Sequence, residues 1–174
     1  MDQHHDIVMR ARAAAADHPR RNYFAYSTVL DRAAFLEWRA QHDYAFFDLP
    51  EGRVAEAIDL GLTFDFPSRW WGGRVAGLID QPGSSVWGMV FTIEGRDWPI
   101  VQHKEGGITG MCVEREVVLR IGGAEEKAVA FTTHPGRASS AGPVSAAFVE
   151  ALVRGARGAG LPEAWTGSLP SLAR

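Results

Sequence analysis

Between Ile58 and Phe66 the chain alternates without a break, with Ile58, Leu60, Leu62, Phe64 and Phe66 separated by Asp59, Gly61, Thr63 and Asp65. A period of two sends successive side chains to opposite faces, so this stretch predicts a strand with one buried face. Such a strand needs partners and a cover for its apolar side. Further strands are expected at Tyr23 to Tyr26, Val75 to Ile79, Val86 to Ile93, Met111 to Arg120 and Lys127 to Thr133. Pro82-Gly83 and Gly122-Gly123 read as turns between neighbours. Short strands at this spacing imply a mostly antiparallel sheet that curls into a small barrel.

Helical patterns flank these strands. Residues 1–20 are polar and alanine-rich and end at His18-Pro19, which predicts an N-terminal arm or short helix outside a main domain of residues 21–174. Asp31 reads as an N-cap for a helix from Arg32 to about His42, with Phe35, Trp38 and His42 on its inward face and His42 near its C-terminal dipole. A second helix is expected from about Pro143 to Arg157, with the proline in its first turn and Gly158 or Gly160 at its end.

At 174 residues the chain can bury a core without staples. A net charge of −3 gives no general attraction to nucleic acid or to an anionic membrane. One cysteine, Cys112, excludes an intrachain disulfide and fits a reducing compartment, so a cytoplasmic location is expected. The polar N-terminus and the lack of a long apolar run predict neither export nor a membrane helix.

The histidines show no metal-ligand spacing, and dinucleotide, Walker, serine-elbow and HExxH patterns are all absent. Two segments remain as candidates for chemistry. Tyr23 to Leu30 reads as a strand running into a helix-opening turn, where free backbone N–H groups can hold an anion. Lys104-Glu105-Gly106-Gly107 offers a carboxylate on a glycine turn. Trp70-Trp71-Gly72-Gly73 reads either as a pocket floor or as ordinary core or rim.

Three further stretches carry a family likeness. The run from Val75 through Pro82-Gly83-Ser84-Ser85-Val86-Trp87-Gly88-Met89-Val90-Phe91, the segment Glu105-Gly106-Gly107-Ile108-Thr109-Gly110-Met111, and Ala159-Gly160-Leu161-Pro162-Glu163-Ala164-Trp165 resemble, in order and spacing, motifs of the γ-glutamylcyclotransferases. The likeness covers about Tyr23 to Trp165. It implies an α+β fold, a small mixed, mostly antiparallel β-barrel with flanking helices. It also implies Glu105 as catalytic acid/base, and Tyr26, Ser27, Thr28, Val29 and Leu30 as the loop whose backbone amides bind the γ-glutamyl carboxylate. The implied partner is a small γ-glutamyl compound, with no cofactor, metal, nucleic acid or membrane; homodimerisation is left open.

The chemistry implied by the likeness needs few groups. The α-amine of a γ-glutamyl amine or peptide attacks its own γ-carbonyl, closing a ring to give 5-oxoproline and a free amine. Correctly folded substrate reacts with an effective molarity of roughly 10⁵ M or more. One carboxylate then carries the proton from the attacking nitrogen to the leaving one, typically worth ~10² to 10⁴-fold. Two departures from the family pattern stand out. Its Tyr-Gly-Ser-Asn-Leu loop is here Tyr26-Ser27-Thr28-Val29-Leu30, and its downstream tyrosine is replaced by Phe131, so that any contact of that hydroxyl is absent or supplied by another group such as Thr132 or Thr133. These departures motivate an alternative, a noncatalytic small-molecule-binding member of the same fold.

Overall fold

The computed structural model describes residues 3–174. Five strands close into a barrel: β1 (Arg21–Ala25), β2 (Gly52–Ser68), β3 (Gly73–Ile93), β4 (Cys112–Ile121) and β5 (Ala124–Thr133), in the spatial order β1-β3-β2-β4-β5. All neighbours are antiparallel except β1 and β5, which run parallel and meet at Tyr23 and Val129. The barrel is therefore mixed and mostly antiparallel, as the sequence predicts.

The alternating segment lies inside a longer strand, the 17-residue β2. Its partner is the 21-residue β3, which fuses the two strands expected at Val75 to Ile79 and Val86 to Ile93. Pro82-Gly83 is accordingly no hairpin turn, and the chain reverses at residues 69–72 instead. Leu60 faces Asp80 and Ile58 faces Ser85, so residues 81–84 oppose Asp59 alone. In this bulge Asp59 and Gly83 both take positive φ, and the Asp59 carboxylate accepts from the Gly83 N–H at 2.8 Å. A proline is tolerated there because a bulged residue owes no donor to the ladder. At Gly122-Gly123 the expected turn does join β4 to β5.

Among the described residues five α-helices flank the barrel: α1 (Gln3–Ala14), α2 (Arg32–Gln41), α3 (Trp98–Lys104), α4 (Ala146–Gly158) and α5 (Glu163–Leu172). The fourth starts after Pro143, not on it. Ser145 is its N-cap, accepting from Phe148 N–H at 3.1 Å, while the Pro143 carbonyl accepts from Arg74 N–H at 2.9 Å. Asp31 occupies the N-cap position of α2 without capping it, because its carboxylate is turned to Arg154 on α4 at 2.9 Å.

Strand β1 shows how the period of two distributes the core. Phe24 points into the barrel with Ala55, Leu60, Val90 and Leu119, whereas Tyr23 and Ala25 join a second cluster with Val8, Phe35, Ile100 and Phe131. A third cluster, built on Phe64, Phe148, Leu152 and Leu169, sits under α4 and α5. Among the described residues no helix is long and apolar enough to cross a membrane.

Candidate active site

Helix α3 ends at Glu105, whose N–H still donates to Val101 O at 3.0 Å. Gly106 follows with φ 77°, a conformation that L side chains rarely adopt, and its carbonyl accepts from both Met111 and Cys112 N–H. The turn thus stops the helix and leaves the Glu105 side chain on the wall of a cavity. There its Oε1 accepts a hydrogen bond of 2.5 Å from the Tyr23 hydroxyl on β1. Burial, reinforced by the Glu105 carboxylate, pushes the Tyr23 phenol well above its ordinary range, so this group donates and keeps its proton.

Glu105 is half-buried on the wall of a cavity of about 540 Å³ that also includes Tyr26, Ser27 and Thr28. The two segments singled out in the sequence therefore meet. Residues Thr28–Leu30 form a single 3-10 turn that Ser27 enters in an extended conformation, with no side-chain cap. Leu30 N–H donates to Ser27 O at 3.2 Å, whereas the first amides of such a turn have no carbonyl to bond within it. Val29 and Leu30 are not on the cavity wall: Val29 is buried in the Tyr23 cluster and Leu30 packs between two clusters. The Tyr26 ring lines the cavity and its hydroxyl donates to Phe131 O at 2.6 Å.

Neither threonine proposed as a hydroxyl source faces Glu105. Thr132 Oγ1 is engaged with both N and O of Leu78, and Thr133 donates to Asp65 at 2.7 Å. The phenol at Glu105 comes instead from Tyr23. Spacing gives no warning of this contact, because 82 residues separate the pair.

Two further cavity residues escape sequence reasoning as site members. Lys104 places Nζ 5.6 Å from the centroid of the Trp38 ring, and among the described residues it forms no ion pair. Burial lowers its pKa, and the neighbouring carboxylate of Glu105 opposes that shift. Arg154, also on the wall, is already paired with buried Asp31. Cys112 lines the cavity as a thiol pushed up to about 12 by burial and by the carboxylates of Glu105 and Asp65, which makes it a poor nucleophile. His42 caps α2 with Nδ1 2.8 Å from Trp38 O and also reaches the wall, as do Trp70 and Trp71. Among the described residues no cluster of three or more His, Cys, Asp or Glu is placed to hold a metal ion.

This geometry has relatives. A family model described as the AIG2-like family matches residues 85–169. The gamma-glutamylcyclotransferase of Bos taurus is 28% identical over 123 residues, covering 68% of this chain and 64% of the bovine protein. The Homo sapiens protein of the same name is 28% identical over 142 residues, covering 80% of this chain and 72% of its own length. The chain is thus similar to γ-glutamylcyclotransferases over most of its length. A solved structure named gamma-glutamyl cyclotransferase superposes with a TM-score of 0.71 at 24% identity, covering 87% of each chain. YkqA from Bacillus subtilis gives a TM-score of 0.71 at 19% identity, over 94% of this chain and 57% of that one. At such identities these superpositions speak for the γ-glutamylcyclotransferase fold. The match spans under two thirds of the bovine relative's length.

Proposed function

We propose that the protein is a γ-glutamylcyclotransferase-type enzyme that converts a γ-glutamyl amine or peptide into 5-oxoproline and a free amine. The observation that carries this reading is the shared cavity of Glu105 and the turn after Tyr26. In the proposed reaction the γ-glutamyl carboxylate sits at the first amides of the Thr28–Leu30 turn, with the Lys104 ammonium as its counter-charge. The substrate's α-nitrogen attacks the γ-carbonyl, a carbon–nitrogen bond forms, and the exocyclic carbon–nitrogen bond breaks. Glu105 accepts the proton from the attacking nitrogen and returns it to the departing one. The 2.5 Å bond from Tyr23 holds one carboxylate oxygen in place, which leaves the other for this transfer. No protein nucleophile is required, in keeping with the raised thiol pKa of Cys112.

Incubating the purified protein with a panel of γ-glutamyl amines and dipeptides and measuring 5-oxoproline by mass spectrometry tests the proposal. Turnover of at least one member is expected, and Glu105→Gln is expected to lower it by about 10² to 10⁴-fold while leaving the fold intact. Silence across the whole panel refutes the reading.

A binding-only member is the second reading. It is favoured by the loop itself, where Val29 turns its side chain into the core at the position of the family's polar asparagine. A γ-glutamyl compound that raises the melting temperature and is recovered intact supports this alternative; its consumption refutes it.

A further inference from the structure

The cavity has a second wall, away from Glu105 in the chain, formed by the tip of the β2–β3 hairpin and by α4. It carries Phe66, Trp70, Trp71 and Phe148. Trp71 is fixed: its ring stands edge-on to Phe148 at 5.5 Å and its carbonyl accepts from Ser145 Oγ at 2.6 Å. The tip is tied down as well, since a Cβ on Gly73 would come within 2.9 Å of both Pro143 O and Ser145 N, so these backbones are in direct contact. Trp70 is held on this rigid platform yet remains 65% exposed, lining the cavity with no ring stacked on it among the described residues.

Charge narrows what this wall can receive. Among the described residues the one cation lining this wall is Arg154, paired with Asp31 at 2.9 Å, while Arg69 at the hairpin tip is exposed and off the lining. Among the described residues that line this wall an anionic peptide tail would meet no unpaired cation, whereas a flat apolar group would find indole and phenyl faces. A cavity of about 540 Å³ also holds more than a glutamyl group.

Resting on the cyclotransferase reading, we infer that the hairpin tip is the subsite for the released amine, and that it selects γ-glutamyl conjugates of uncharged aryl or arylalkyl amines. Trp70 closes over the aromatic ring, with Trp71 and Phe148 as its fixed backing.

The test compares γ-glutamyl-2-phenylethylamide with γ-glutamylethylamide and with γ-glutamylcysteinylglycine, in the native protein and in Trp70→Ala and Trp70→Phe. The aryl conjugate is expected to exceed the ethyl one in kcat/KM by about two- to twelvefold, the range that an aromatic contact provides. Trp70→Ala is expected to erase that ratio through KM, and Trp70→Phe to restore most of it. Equal turnover of aryl and ethyl substrates, or a ratio indifferent to Trp70→Ala, overturns the inference. If no substrate yields 5-oxoproline, it is the cyclotransferase reading that fails. Quenching of indole fluorescence by γ-glutamyl-2-phenylethylamide then decides the subsite: quenching lost in Trp70→Ala supports it, and its absence in the native protein overturns it.

Discussion

Tyr23 and Lys104 bracket Glu105 with opposite consequences for stability. The Tyr23 hydroxyl is buried and fully used, so Tyr23→Phe removes a hydrogen bond to a charged group and is expected to cost about 1.5 to 3 kcal/mol. In the proposed mechanism the same change frees the carboxylate to rotate, so kcat should drop by about tenfold with KM nearly unchanged, as steady-state kinetics on an active γ-glutamyl substrate would report. Lys104 is the reverse case. Its lowered pKa marks an ammonium that burial disfavours, so folding binds that proton less tightly than the unfolded chain does. Lys104→Met is expected to raise stability by about 1 kcal/mol in urea titration while raising KM about tenfold. A site residue that weakens the fold signals a binding task, and loss of KM together with gain of stability separates that task from a structural one. Of these residues only Glu105 and the turn at residues 26–30 were legible as candidates, from the glycine turn and the strand-to-turn pattern, and their roles came only from the family likeness. The Tyr23 contact depends on the way β1 and the end of α3 are brought together in space, which leaves no trace in local spacing.

Among the elements, those with a strong period were legible and those set by tertiary contact were not. The alternation in β2 and the glycine pair before β5 state their structure locally. Helix α3 is seven residues long, too short for a periodic face, and α5 carries Pro170, which reads as a breaker although it falls in the last turn. The Pro82-Gly83 bulge looks like a turn because the same residues serve both purposes. Helix α4 supplies a sharper test. Gly155 lies in its interior, where glycine is normally worse than alanine by about 1 kcal/mol. A Cβ there would meet Asp31 N at 2.6 Å and Leu30 C at 2.8 Å, both backbone atoms. Gly155→Ala is therefore expected to destabilise the protein by about 1 to 3 kcal/mol in thermal unfolding, against the helix-propensity trend. It should also raise KM, because the atoms displaced belong to the turn that follows Ser27.

The whole molecule is tied together at its surface by ion pairs with a predictable response to acid. Hydrogen bonds from Arg32 hold Asp48 down to about 2, and its second oxygen lies 3.3 Å from Arg39. A carboxyl whose folded pKa is depressed contributes stability above its unfolded value near 4 and loses it as pH falls toward 2. Because the pair is largely exposed, solvent screening limits this contribution to about 0.5 to 1 kcal/mol. Asp48→Asn should be less stable than the native protein by that amount at pH 7, and the two should converge near pH 2 in chemical denaturation. Glu114 is lowered as well: burial pushes it up, and hydrogen bonds from Arg21, Trp98 and Gln102 together with the Arg21 charge outweigh that push, so it too loses stability as pH falls. Strand β1 bears on the molecule in a different way. It meets β5 in register at one residue, Tyr23, and that residue also grips Glu105. The seam that shuts the cylinder and the grip on Glu105 are thus one side chain wide, and the strand runs directly on into the turn at Ser27. A small molecule lodged between that turn and Glu105 would work as a clasp across the seam, fastening the staves of the barrel while it occupies the site.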